Sequence, residues 1–128
     1  MSDKFTVEII SPDQTILKQE TSEVVIPSFE GQMGILNNHI PLITFLRPGI
    51  ITIKSEGEKK YYVEEGTVEF SNNNLLILTS TARDLVDLDK SKINELLKKA
   101  EVNLNNQITD KERYIASYKL ETLKEISQ

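Results

Sequence analysis

The 128-residue chain carries 15 basic and 20 acidic side chains, one histidine and no cysteine, for a formal net charge of -5. This length fits one ordinary domain, or a core of about 85 residues with an appendage, and at this size roughly two-thirds of the unfolded surface is buried without help from a metal or disulfide. Residues 1–89 hold 7 basic and 14 acidic groups and residues 90–128 hold 8 and 6, so an acidic body repels phosphate backbones and the mixed tail charges read as a solvated helix face, which argues against nucleic-acid binding.

No run of ~18 apolar residues is present, which argues against a membrane-spanning helix. The N-terminus has neither an apolar signal core nor an arginine-rich transit pattern, so structure is expected to begin at once. Phe5, Val7 and Ile9 alternate with polar neighbours as in a half-buried strand, and Ser11-Pro12-Asp13 follows as a turn. Strands are expected next over residues 15–18 and 23–27. Residues 31–49 then concentrate three glycines, two prolines and the only histidine. Gly31 and Gly34 admit positive φ or a close backbone approach, while Pro41 and Pro48 push the residues before them to extended geometry, so this connection is expected to turn sharply more than once. Within it, Ile35 and Leu36 read as core, and Met33 as an adaptable contact residue at a loop tip.

Further strands are expected over residues 50–54, 60–64, 67–70 and 75–79. Ser55-Glu56-Gly57-Glu58 and Ser71-Asn72-Asn73-Asn74 read as hairpin turns, because glycine and asparagine tolerate left-handed backbone. Short β-branched strands with no helical crossover between them point to an antiparallel sandwich or barrel and against parallel pairing. From Ser91 the period changes. Ile93, Leu96, Leu97, Ala100 and Leu104 form a helical stripe with Asp87 and Asp89 at its positive start, and Asn105-Asn106-Gln107 breaks it. Thr109-Asp110-Lys111-Glu112 has the form of a capping box, and Ile115, Ala116, Leu120, Leu123 and Ile126 follow as a second stripe. Two helices of about 15 residues are marginal in isolation, so an antiparallel hairpin that docks on a larger surface is expected. The chain divides into a β domain over residues 1–86 and a helical hairpin over 87–128, with residues 82–92 as a candidate hinge.

Histidine as a residue type suits general-base work, which makes His39 a candidate, but a general base needs an orienting partner and a nucleophile, so a structural or interface role is the simpler reading. One histidine without cysteine falls short of the usual zinc and copper ligand sets. Asp84, Asp87 and Asp89 lack the order of a calcium loop and read as helix-entry carboxylates, while neighbouring Glu64 and Glu65 point to opposite faces of a strand. No phosphate loop is present, and Gly31-Gln32-Met33-Gly34 is not a dinucleotide fingerprint, so no cofactor is expected.

Residues 30–42 read Glu-Gly-x-x-Gly-x-Leu-x-x-His-x-Pro-Leu, residues 46–49 read Leu-x-Pro-Gly, and residues 61–66 form an aromatic strand ending in glycine. With Ala82, Asp89 and the helical tail, this order and spacing closely resembles the epsilon-subunit family of bacterial F-type ATP synthases, equivalent to the mitochondrial delta subunit, over nearly the whole chain. The resemblance implies a ten-stranded antiparallel β-sandwich followed by a two-helix antiparallel hairpin. It implies a non-catalytic central-stalk rotor subunit that grips gamma and sits on the c ring of a proton-translocating complex, peripheral to the cytoplasmic face of a bacterial inner membrane. It assigns Glu30, Gly31, Gln32, Met33, Gly34 and His39 to the c-ring interface. Gln32 stands where many relatives have an acid, which replaces a salt bridge by at most a neutral hydrogen bond.

In many relatives the hairpin also reaches the alpha and beta subunits of the catalytic head and restrains hydrolysis. The resemblance gives Lys111, Arg113, Lys119 and Lys124 that contact, but Glu112, Glu121 and Glu125 lie among them, so weak restraint is expected. Ile108-Thr109-Asp110-Lys111-Glu112-Arg113 departs from the Ile-Asp-x-x-Arg-Ala motif of relatives that bind ATP, and arginine is hard to replace for bidentate phosphate contact, so no strong ATP binding is expected. Two rivals remain: a free-standing β-sandwich ligand-binding module with a helical oligomerisation tail, and a small β-barrel enzyme using His39. The first lacks the aromatic platforms of such modules, with no tryptophan and eight aromatics in all. The second lacks a recognisable triad.

Overall fold

The computed structural model describes residues 3–106 and 108–127. Ten strands come first: β1 Phe5–Ile10, β2 Thr15–Thr21, β3 Glu23–Ser28, β4 Gly31–Leu36, β5 Leu42–Leu46, β6 Gly49–Lys54, β7 Glu58–Val63, β8 Gly66–Ser71, β9 Asn74–Leu78 and β10 Arg83–Asp84. A single 3-10 turn, Leu85–Asp87, leads to the helices α1 Lys90–Asn105 and α2 Asp110–Ile126. The strands pair in the order β10-β7-β6-β3-β5-β8-β9-β1-β2, with β4 on β3. Because β3 and β5 pair only at Ser28 and Leu46, the sheet folds over there into two layers, β4-β3-β6-β7-β10 and β5-β8-β9-β1-β2. Val24, Ile26, Ile35, Ile51, Ile53, Tyr61 and Val63 from one layer meet Val7, Ile9, Val68, Phe70, Leu75 and Ile77 from the other in one buried core.

The ten-stranded sandwich and helical hairpin expected from the sequence are therefore present. One pair departs from the antiparallel expectation, since β1 runs parallel to β9. A tight turn cannot connect parallel neighbours, but the whole sandwich lies between these two in sequence and serves as the crossover.

The seven strands marked by local residue pattern all form, and three that the pattern did not mark join them. β4 was hidden because Gly-Gln-Met-Gly-Ile-Leu is poor in β-branched residues. It extends because β3, across the two-residue turn Phe29-Glu30, presents a free edge that pairs along its length from Ser28↔Gly31 to Glu23↔Leu36. Met33 is consequently not at a loop tip. It lies on β4 opposite Ile26, half-buried against the core. Leu36, expected in the core, is 55% exposed, because the alternation that buries Ile35 turns its neighbour outward. The repeated turning of residues 31–49 holds, with β5 inserted between its turns. Gly31 takes φ +117°, and the left-handed asparagines are Asn38, Asn72 and Asn73.

Both helix starts form as expected. The Asp89 side chain accepts from the Lys92 amide at 2.8 Å, and the Thr109/Glu112 capping box is complete. Gln107 of the expected helix break lies outside the described residues. The hairpin docks on β7. Tyr62 is fully buried among Leu96, Ala100 and Leu123, with Leu85, Leu88, Leu97, Leu120 and Ile126 around them. Residues 82–92 are ordered in this docked state, since Arg83 and Asp84 pair with Tyr62 and Tyr61 and the Asp84 side chain accepts from the Val86 amide at 3.0 Å.

The junction between the layers leaves no room beside Pro27, where a Cβ on Gly49 would come within 2.5 Å of the proline Cβ. Gly49→Ala is expected to destabilise the full chain by about 1–3 kcal/mol in urea unfolding. Gly57→Ala, whose Cβ would meet nothing within 4 Å, should stay within about 0.5 kcal/mol of the parent.

Candidate functional site

The two layers have differently treated outer faces. Over the β3-β6-β7 layer the face is covered: α2 crosses β6, and Tyr118, Glu121, Thr122 and Glu125 line a cleft with Val25, Pro27, Ile50 and Thr52. The Tyr62 hydroxyl donates to Glu64 Oε2 at 2.9 Å, and the other Glu64 oxygen lies 3.5 Å from Lys119 Nζ of α2. Burial first, and then the charge of Glu64 and its hydrogen bond, push the Tyr62 phenol well above the usual tyrosine range. On the opposite face of β7, burial and then Asp84 and Asp87 raise Tyr61. A second attachment lies nearer the start of α2. There the Phe29 ring stacks on Tyr114 with centroids 5.6 Å apart, Tyr114 meets Tyr118 at 4.7 Å, and the Arg47 guanidinium sits 4.0 Å over the Tyr118 ring.

The β5-β8-β9 face is largely open, bordered near Phe45 and Leu78 by Lys111, Ile115 and Lys119 of α2. Ile43 and Phe45 project from β5 with 76% and 58% exposure, and Leu78 of β9 joins them across Thr67 of β8. Ile40, in the turn before β5, is also exposed. A run of large apolar side chains on one sheet face has the character of a protein-binding surface. Sequence reasoning missed it because β5 lay inside a segment read as turns. The alternation of Ile43 and Phe45 with Thr44 was the signal available.

The six residues assigned to one interface do not gather in one patch. Glu30 closes the β3–β4 turn and Gly31 opens β4, beside Phe29 and the start of α2, whereas His39 lies beyond the far end of β4, about 20 Å away along a six-residue strand. Gln32 is exposed beside the covered cleft, and Gly34 faces Glu23, whose carboxylate a Cβ would approach to 3.3 Å. His39 Nδ1 sits 2.7 Å from the Ile40 carbonyl oxygen, so that nitrogen carries a proton, and the ring meets Phe70 edge-on. Next to it, Asn73 accepts from the Asn38 amide and donates to Asn37 and Asn38, which staples the β4–β5 turn to the β8–β9 turn. These are the contacts of a turn-holding residue. Among the hairpin cations, Lys111, Arg113 and Lys124 are exposed, but Lys119 is engaged by Glu64. Among the described residues no three histidine, cysteine or carboxylate groups come together as a metal site, and no helix is long and apolar enough to cross a membrane.

A model of the ATP synthase delta/epsilon chain β-sandwich domain matches residues 4–84. The ATP synthase epsilon chain of Pelagibacter ubique (strain HTCC1062) is 51% identical over 130 residues, covering 99% of this chain and 100% of that protein. That of Dichelobacter nodosus (strain VCS1703A) is 41% identical over 103 residues, covering 79% and 72%. Among solved structures, a chain of the Euglena gracilis mitochondrial ATP synthase (OSCP/F1/c-ring in rotational state 1) superposes with a TM-score of 0.81 at 23% identity, covering 100% of this chain and 84% of that one. A chain from the central stalk/c-ring structure of the Tetrahymena thermophila enzyme does so with a TM-score of 0.70 at 16% identity, covering 96% of each. At such identities these two structures speak to the fold.

The buried Tyr62 phenol makes docking sensitive to alkali. Because its pKa is raised on folding, its contribution to stability is complete below about pH 10, where an unfolded tyrosine begins to ionise, and declines above that. Urea unfolding of the full chain is expected to show this decline, and Tyr62→Phe should remove its share of the alkaline slope.

Proposed function

The chain belongs to the ATP synthase delta/epsilon family, and from that premise we propose that it is the central-stalk subunit of a proton-translocating F-type ATP synthase. In this reading it couples rotation of the c ring to gamma and hence to ATP synthesis, makes and breaks no covalent bond, and sits on the cytoplasmic face of a bacterial inner membrane as a peripheral part of the complex. The observation that carries the reading is the end-to-end match to a protein called an ATP synthase epsilon chain, half of whose residues are identical.

The geometry supports a division of labour. The bare face of Ile43, Phe45 and Leu78 is the surface we assign to gamma, since a shaft gripped without slipping needs apolar area that stays dry under load. The Glu30–Gly34 end is assigned to the c ring, with Gln32 offering a neutral hydrogen bond. His39, at the other end of β4, adjoins exposed Ile40 and lies apart from the end we assign to the c ring. The β domain of residues 1–86 carries both contacts, and residues 87–128 form the separable hairpin. If that hairpin leaves the sandwich for the alpha and beta subunits, Lys111, Arg113 and Lys124 are free to meet acidic residues, whereas Lys119 must first give up Glu64. This favours weak restraint of hydrolysis.

Affinity capture of the tagged chain from cells is expected to bring down gamma. The Ile43→Glu/Phe45→Glu double variant should lower that recovery about tenfold or more, while His39→Ala retains it. Recovery of gamma unchanged by the double variant would reassign the face, and no recovery with the parent chain would end the rotor reading. Removing residues 90–128 is expected to leave ATPase activity of the assembled complex without a many-fold rise, and calorimetry on the isolated subunit should give no submillimolar ATP dissociation constant.

A further inference from the structure

Resting on the reading above, we propose that the β3–β4 turn and the helical hairpin form one mechanical unit: an aromatic clasp of Phe29, Arg47, Tyr114 and Tyr118 holds the first half of α2 on the sandwich, and displacement of the Glu30–Gly31 turn opens it. Phe29 is the first residue of that turn, and its ring lies parallel to Tyr114 within 16°. Tyr114 meets Tyr118 one helical turn later at an interplanar angle of 64°, and Tyr118 offers its face to Arg47 from the β5–β6 turn. The two turns that carry the jaws are joined through the backbone. The Phe29 amide donates to the Phe45 carbonyl at 3.2 Å and the Arg47 amide to the Pro27 carbonyl at 2.9 Å. A push on either turn therefore reaches both rings of α2.

The strength of the clasp suits a bias more than a lock. Phe29 remains 42% exposed, and a half-exposed ring pair or cation–π contact shifts an opening equilibrium by roughly five-fold. The deep attachment at Tyr62 lies further along the hairpin, among Leu96, Ala100 and Leu123. The start of α2 can thus loosen while the Tyr62 cluster still holds. The lever is Glu30–Gly31, the two residues that follow Phe29. Gly31 sits at φ +117° with nothing within 4 Å of a Cβ, so backbone conformation, with no packed side chain at residue 31, sets the shape of the turn. A partner pressing on this end of the sandwich would in this way report its presence to the hairpin.

The test is hydrogen–deuterium exchange of α2 amides in the full chain, with β1 and β9 amides as internal reference. Phe29→Ala and Tyr118→Ala are each expected to speed exchange in the first half of α2 about five-fold while β1 and β9 stay unchanged. Tyr118→Phe, which keeps the ring face under Arg47 and loses only the hydroxyl contact to Tyr114, is expected to speed exchange less than Tyr118→Ala; an effect as large as that of Tyr118→Ala overturns the role of the ring face. Gly31→Ala adds a methyl to open space but strains a positive φ, and is expected to speed α2 exchange from the first residue after the turn. Unchanged α2 exchange in Phe29→Ala or in Gly31→Ala overturns the coupling, as does an equal rise in β1 and β9. All these measurements are made on the isolated chain, so their failure leaves the rotor reading intact, whereas failure to recover gamma from cells would strike that reading alone.

Discussion

One tyrosine holds the two halves of this molecule together. Tyr61 and Val63 on either side of Tyr62 point into the sandwich core, and the period of the strand sends the ring between them out through the opposite face. A bulky phenol there would be a liability in water. Two helices that cannot persist alone meet the same difficulty from the other side, and burial of Tyr62 between Leu96, Ala100 and Leu123 resolves both. Removing water from this site also makes the hydroxyl need a partner, which Glu64 supplies. Glu64 in turn draws in Lys119, so one buried ring organises a chain of contacts from β7 to α2.

Docking there makes the sandwich asymmetric. The hairpin covers the outer face of the β3-β6-β7 layer and leaves that of the β5-β8-β9 layer open. Ile43, Phe45 and Leu78 on the open face stay largely exposed, with Lys111, Ile115 and Lys119 of α2 only bordering the cleft beside Phe45 and Leu78, although the same sequence supplied two amphipathic helices to its other side. An apolar surface left open beside a covered one has the character of an interface, which fits membership of a family of ATP synthase subunits. The role proposed above calls for a stiff core, two interfaces at fixed separation, and a helical element whose attachment can be adjusted.

The attachments differ in kind. Tyr62 is deep and apolar, and its loss would leave a cavity. Arg47, Phe29, Tyr114 and Tyr118 lie at the surface, where each contact is worth little against water. Lys119 belongs to the strongly held part through Glu64, while Lys111, Arg113 and Lys124 point to solvent. The basic residues of α2 are therefore not equivalent, although their spacing in the sequence gives no hint of the difference.

Local physics settled much by residue order alone. The alternation of Phe5, Val7 and Ile9, the asparagine turn at 72–73, the carboxylate at Asp89 and the Thr109/Glu112 box each act over a few residues, and each was legible because its cause is that short. The family motif from Glu30 to Gly49 was legible for a different reason, as a pattern of residue types. Tertiary structure alone decided that Gly31–Leu36 is a strand, because its pairing energy comes from the edge of β3 and from no propensity of its own. The same holds for β1 lying parallel to β9, for Leu36 facing water, and for Glu30 and His39 standing at opposite ends of β4. Whether Ile43 and Phe45 end in a core or on a bare face depends on which side the hairpin covers, and Tyr62 makes that choice through contacts more than thirty residues distant along the chain.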